Sequence, residues 1–346
     1  MKTRRHRLTR HSGMPPYRAA LTLFAAVAAA VAAVAPASAN PTITALFPST
    51  GFSAADETVI ENALNFYQTN MTSTFSVTVA FATNTTGGGT SQALGFTDTY
   101  NNYFNQLVAH SSGDAADISA IASLGGGPHT NNPVTGSSNI DMNTSLAAAL
   151  GIAPQETSSG FAGCGSVVAS GCITLGTSVL NGSTPMAALF SDVEHEFDEI
   201  LGTSSALPNG GGAVPTDPFV ADLFRYSAPG VRSFALNTST DIPCTGSPTA
   251  YLSVDGGNTN LNPYNNCNNG GDYGDWNFDD GLQVQDAFGP DDAPASLNLN
   301  SPEVKLLDAV GYNFVSSVSS VPEPGSIAVL LTGLAGLCAV RRKRAA

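Results

Sequence analysis

The segment Asp192-Val193-Glu194-His195-Glu196-Phe197-Asp198-Glu199-Ile200-Leu201-Gly202 sets five carboxylates and one imidazole side by side, with no Lys or Arg among them. Met186, Leu189, Val193, Phe197 and Ile200 recur every three or four residues, so the stretch reads as an amphipathic helix with one buried stripe. Thr184-Pro185 supplies a start, Thr as cap and Pro at the first helical position. Gly202 supplies a stop. Carboxylates near a helix C-terminus face the negative end of its dipole, and Glu194 and Asp198, four apart, repel each other. A bound cation would relieve both penalties. His195 and Glu199 are four apart, project from one face and can ligate one ion. Glu196, next to His195, can hold a water and take its proton.

His195-Glu196-x-x-Glu199 differs at one position from H-E-x-x-H, in which two histidines hold zinc and the glutamate is the general base. The chemistry to expect is therefore hydrolysis. A metal at His195 and Glu199 lowers the pKa of a water to about 7, and Glu196 acts as the base. The alternative is an acidic helix face that is merely solvated. Between residues 40 and 320 the histidines are His110, His129 and His195. A mixed site completed by a further carboxylate fits better than three histidines, and Asp217 and Asp222 are the nearest downstream candidates. Zinc is what the likeness to H-E-x-x-H peptidases implies; such an oxygen-rich set also suits Mn2+ or Ca2+. Asp275 and Asp286 echo the first and last ligands of an EF-hand loop. Asp280 stands where that loop needs Gly, and flanking helices are not evident, so a loose Ca2+ site and an acidic turn both remain open. Arg225 reads as a structural partner for a carboxylate.

The two ends carry addresses rather than chemistry. Lys2, Arg4, Arg5, Arg7, Arg10 and Arg18 precede an apolar, alanine-rich run from Ala19 to Val34 and the small-residue site Ala37-Ser38-Ala39. That order reads as a secretory signal spanning 1–39 and cut by signal peptidase, with an uncleaved membrane anchor as the alternative. At the other end a linker, 316–320, leads to Val321-Pro-Glu-Pro-Gly-Ser326, an apolar segment at 327–340 and Arg341-Arg-Lys-Arg344. A short apolar stretch followed by basic residues reads as a membrane segment held positive-inside. Removing both ends leaves three basic residues against 26 acidic ones between 40 and 320, a formal charge of −23. Nucleic acid and anionic membranes are poor partners for that charge, and divalent cations are good ones. Cys164, Cys172, Cys244 and Cys267 suggest two nearest-neighbour disulfides in an oxidising compartment.

Residues 40–315 should fold as an α+β domain. Ser53 caps a helix whose stripe is Val59, Ile60, Ala63, Leu64 and Tyr67. Phe75 to Phe81 alternates as a strand. A second helix runs through Tyr100, Tyr103, Phe104, Leu107 and Val108. Two strand-like runs follow, near Val167-Val168 and Cys172–Leu175. Beyond Gly202 the chain is rich in Gly, Pro, Asn and Asp, with short strands such as Tyr251–Val254 and a closing helix from Pro302 to Val310. An N-terminal α/β lobe, a central metal-site helix and an irregular β-rich C-terminal lobe are therefore expected.

The tail resembles the PEP-CTERM sorting signal of exported bacterial proteins, which implies removal by an exosortase-type enzyme. It further implies residence at the cell surface or in the extracellular matrix of a Gram-negative bacterium. The order EHEFDEILG, Asp222-Leu-Phe-Arg-Tyr-Ser-Ala-Pro-Gly230, Tyr251-Leu-Ser-Val-Asp-Gly-Gly257, Gly271-Asp-Tyr-Gly-Asp-Trp276, Val284-Gln-Asp-Ala-Phe-Gly289 and Leu307-Asp-Ala-Val-Gly-Tyr312 resembles PEP-CTERM-type metalloprotease-like proteins, and metzincins more distantly. The resemblance implies a metzincin-like fold, a zinc ion and a protein or peptide substrate. It departs from metzincins in Glu199, in Ser205 where a third histidine would stand, and in having no methionine after Met186. A non-catalytic matrix or adhesion protein on a degenerate protease fold is the competing expectation.

Overall fold

A computed structural model describes residues 40–315, apart from 49–50, 86, 127, 181–185, 209–212, 248, 279–280 and 289–294. β1 (Thr42–Leu46) leads through Ser53 into α1 (Ala54–Asn70). The Ser53 hydroxyl accepts from the Asp56 N–H at 3.2 Å, and the Asp56 carboxylate accepts from the Ser53 N–H at 2.9 Å. This reciprocal cap sets the start of α1, and Ile60, Ala63, Leu64 and Tyr67 form its buried stripe. β2 (Ser76–Asn84) runs parallel to β1, then β3 (Gly89–Ala93) and β4 (Gly95–Thr99) lead into α2 (Tyr100–His110) and α3 (Ala115–Ser123). β5 (Asn139–Asn143) pairs antiparallel with β4 and is followed by α4 (Thr144–Ala149), β6 (Gly171–Gly176), α5 (Thr177–Leu180) and α6 (Met186–Leu201).

The main sheet has the order β1-β2-β6-β3. β6 is parallel to β2, whereas β3 runs antiparallel to β6 and forms the sheet edge. β2 and β6 read as nearly continuous buried runs because both of their faces are covered. α1 and α6 pack together, and α6 also lies against β3 and β6. Of the two strand-like runs near 165–180, Gly171–Gly176 is a strand. The other, around Val167-Val168, lies in a loop closed by a disulfide between Cys164 and Cys172, with Val168 60% exposed. The second disulfide joins Cys244 to Cys267.

After α6 the chain makes a 3-10 turn (Val220–Phe224), then β7 (Arg225–Ala228), β8 (Val231–Arg232), β9 (Tyr251–Leu252) and β10 (Asn262–Pro263), a small antiparallel sheet in the order β10-β9-β7-β8. α7 (Pro302–Val310) closes the fold and stops at Gly311, whose φ of +127° suits Gly. One hydrophobic core joins residues of both expected lobes: Phe197 and Leu175 share it with Tyr264, Trp276 and Leu307. The architecture is mixed α+β. No helix among the described residues is long and apolar enough to cross a membrane. The signal at 1–39, the linker, the sorting tail and the Thr184-Pro185 helix start lie outside the described residues.

Candidate metal centre

α6 buries Leu189, Val193, Phe197, Ile200 and Leu201, as its 3.6-residue spacing requires. Gly202 ends it, its N–H donating to the Asp198 carbonyl at 2.9 Å with φ at +123°. Four of the five acidic residues divide between two faces. Glu194 and Asp198 point into the protein, each essentially buried. Tyr67 on α1 donates its hydroxyl to Asp198 Oδ1 at 2.8 Å and also approaches the Glu194 carbonyl, while the Leu297 N–H donates to Glu194 Oε2. Burial, with the Glu303 carboxylate adding to it, pushes the Glu194 carboxyl up to about 8 against the Leu297 hydrogen bond.

His195, Glu196 and Glu199 face a cleft instead. Together with Gly88–Ser91 of the β3 region, Gly270–Asp272, Asp275 and Ala287, they line a cavity of about 350 Å³ that contains no Lys or Arg. A neighbouring cavity of about 180 Å³ shares Glu199 and Asp272 with it. The Ser91 hydroxyl donates to Glu199 Oε2 at 2.6 Å. At Gly89 a Cβ would stand 2.5 Å from Glu196 Oε1, so only glycine lets β3 pass over that carboxylate.

The third carboxylate is Asp275. One donor atom each from His195, Glu199 and Asp275 lie within 4.8 Å of one another. His195 Nε2 is 3.7 Å from Asp275 Oδ1, with 17% of the His195 side chain and 6% of the Asp275 side chain exposed. His195 Nδ1 is 2.9 Å from the Val284 carbonyl. A carbonyl only accepts, so Nδ1 carries a proton, and Nε2 is the nitrogen that faces the carboxylates and would ligate an ion once its own proton is displaced. Burial by itself would lower the His195 pKa; Asp275, Glu196 and Glu199 outweigh it and raise it to about 10. Burial pushes Asp275 up to about 8 even though His195 opposes it. Burial likewise raises Glu196 and Glu199, again against the pull of His195. Ionising all three carboxyls would thus put more negative charge into the cleft than one imidazolium balances. One imidazole nitrogen and two carboxylates form a donor set that fits a divalent transition ion.

One loop supplies both the carboxylate and the orienting carbonyl. Gln285 Nε2 donates to Asp275 Oδ1 at 3.1 Å. Next to Asp275, the buried Trp276 donates its ring N–H to Glu303 Oε1 at 2.8 Å, and the Gln285 N–H reaches the same oxygen at 3.0 Å. Arg225 steadies the loop from behind, donating to the Tyr273 carbonyl and to Asn266 Oδ1 and lying 4.3 Å over the Tyr264 ring. The sequence pointed to a carboxylate partner for Arg225; its hydrogen bonds go instead to a carbonyl and an amide.

Asp222 and Asp217, the downstream candidates from sequence, do not join His195 and Glu199. Asp222 Oδ1 accepts from Ser205 Oγ at 2.6 Å, and its Oδ2 accepts from the N–H groups of Ala206 and Phe219. It therefore ties the strand of chain after α6 to the 3-10 turn. Asp217 accepts from Ser137 Oγ at 2.6 Å. Asp286, the other end of the EF-hand-like spacing, caps its own turn by accepting from the Gln283 N–H at 2.9 Å. Asp279 and Asp280 lie outside the described residues. His129 stacks on Phe104, and His110 Nδ1 bonds the Gln106 carbonyl, both away from the cleft. Sequence reasoning missed Asp275 as the partner of His195, along with Ser91 and Val284. The only signal was the Gly271–Trp276 motif and the density of Asp around it. Comparison of the chain with protein-family models, curated proteins and solved structures finds no match.

Proposed function

We propose that this protein is an exported, metal-dependent peptidase whose ion is held by His195, Glu199 and Asp275 and whose general base is Glu196. The observation that carries the reading is the convergence of those three donors beside a buried glutamate in an acidic cleft. Zn2+ is the ion the H-E-x-x-E pattern suggests. A divalent cation there supplies Lewis acidity to an amide carbonyl and to a water.

The chain's own groups do the rest. Glu196, held beneath Gly89, takes a proton from the attacking water at its carboxylate. The water oxygen bonds the carbonyl carbon, the C–N bond breaks, and Glu196 returns the proton to the leaving amine. Among the described residues β3 has one strand neighbour, β6, so its outer edge can pair with an extended peptide by main-chain hydrogen bonds. Gly88–Ser91 bring that edge to the cleft, which favours a peptide over a small ester. The two disulfides are compatible with export. The finer parts of the reading are a metzincin-like fold, signal-peptidase and exosortase processing of the two ends, and residence at the cell surface or in the matrix.

The test is hydrolysis of a fluorogenic peptide library by the purified protein, with Glu196→Gln as the comparison. We expect chelator-sensitive cleavage that falls by about 10²- to 10⁴-fold in the variant while bound metal is retained. Cleavage unchanged in Glu196→Gln would refute the mechanism. No cleavage by either protein, with metal bound, would favour the matrix or adhesion protein.

A further inference from the structure

A second group of carboxylates lies where α3 meets α7. Asp114 is the N-cap of α3, its Oδ1 accepting from the N–H groups of Ala116 and Asp117 at 2.8 and 3.0 Å. Asp117, one turn further and buried, has its Oδ2 surrounded by the hydroxyls of Ser111 and Ser112 and the Gly113 N–H, at 2.9, 2.8 and 3.2 Å. From the other side α7 brings Asp308. One carboxylate oxygen from each of the three lies within 4.8 Å of the others. Among the described residues no Lys or Arg makes an ion pair with them; Lys305 stands one turn earlier on α7 without reaching ion-pair distance.

Crowded acids alone do not make a site. The second observation is Asp308 itself. It is 3% exposed, and its Oδ1 is buried with no hydrogen-bond donor. Folded proteins leave few buried polar atoms unpartnered, and a buried carboxylate oxygen without a donor or cation is among the costliest. Here the orphan belongs to the carboxylate that joins Asp114 and Asp117; that carboxylate accepts the Phe314 N–H and feels the Lys305 charge, and neither gives Oδ1 a donor.

We propose that Asp114, Asp117 and Asp308 bind one Ca2+ that fastens α3 to α7. All the donors are oxygens, with no imidazole or thiol to select a softer ion. Ca2+ accepts irregular oxygen coordination completed by water, whereas Mg2+ demands a near-ideal octahedron. The site's position also gives it a task. Glu303 on α7, about 7.5 Å along the helix from Asp308 at 1.5 Å per residue, receives the Trp276 and Gln285 hydrogen bonds that hold the Asp275 loop. Fixing α7 at its Asp308 end supports the element on which that loop rests.

The experiment is thermal unfolding and Tb3+ luminescence of the full chain, metal-stripped and then titrated with Ca2+ alone, comparing wild type with Asp308→Asn. The wild type should gain about 5 °C in saturating Ca2+, and Asp308→Asn should lose that gain and one Tb3+ site. Without Ca2+ the variant should melt no lower than the wild type, since it removes an unpaired buried charge. Asp114→Asn carries the same comparison if Asp308→Asn does not fold. The gain should persist in His195→Ala, which separates this site from the cleft. The proposal is overturned by an equal Ca2+ gain in wild type and Asp308→Asn, by a gain that vanishes only in His195→Ala, or by an Asp308→Asn protein less stable than wild type in the absence of Ca2+.

Discussion

At α6, Glu196, Glu199 and Asp275 surround an imidazole in an open cleft; at the α3–α7 contact, Asp114, Asp117 and Asp308 face one another with no base among them. Both places collect negative charge in a chain whose central region carries three basic residues, and both crowd three donors within the same 4.8 Å. What differs is the chemistry around them. The cleft mixes nitrogen with oxygen, keeps an extra carboxylate beside the donors, and opens beside a strand edge. The other cluster has only oxygens, and its surroundings are backbone N–H groups and serine hydroxyls. A donor set that leaves room for a base and a substrate can do chemistry, while one enclosed by its own loop can only hold elements together.

Substitutions separate the two, beginning with the largest effect. Glu196→Gln should abolish cleavage, through loss of a proton carrier, and leave the Ca2+-dependent melting gain untouched. Asp308→Asn should remove that gain and, because α7 supports the Asp275 loop, lower cleavage far less than Glu196→Gln does. Ser91→Ala is a milder probe of the cleft. It removes the 2.6 Å hydrogen bond that orients Glu199, and metal affinity measured by competition with a chelating dye should fall about 10-fold. Tyr67→Phe has the smallest expected effect on the cleft and tests the buried face of the same helix. It takes the hydroxyl from Asp198 Oδ1, so thermal unfolding should report a loss of about 1–3 kcal/mol, with bound metal unchanged. A loss of metal in Tyr67→Phe would mean that the two faces of α6 are not independent.

The difference between the regions also marks how far the sequence could be read. α6 was legible because its apolar spacing fixes which residues share a face, so His195, Glu196 and Glu199 follow from helical geometry alone. α1 announced itself through Ser53 and Asp56, and α7 through Pro302 and Gly311. Asp275 had no such ruler. It sits some 80 residues beyond His195 on an irregular loop, and its place is set by contacts without periodicity: Trp276 with Glu303, and Arg225 with Tyr273. Asp217 and Asp222 were nearer in the chain, but hydrogen bonds from Ser137, from Ser205 and from the N–H groups of Ala206 and Phe219 hold them elsewhere. Asp308 was hidden for another reason. It lies in a helix read only for its apolar residues, and its meaning depends on what α3 brings against it.

The account turns on Asp275 as the partner of His195 and Glu199, and metal content tests it most directly. Wild type, Asp275→Asn and Asp222→Asn are purified under one regime, exchanged into zinc-buffered solution, and assayed by plasma mass spectrometry with folding verified by circular dichroism. The account expects one zinc per chain in the wild type and in folded Asp222→Asn, and close to none in folded Asp275→Asn. Equal zinc in wild type and Asp275→Asn, or its selective loss from folded Asp222→Asn, would contradict the assignment.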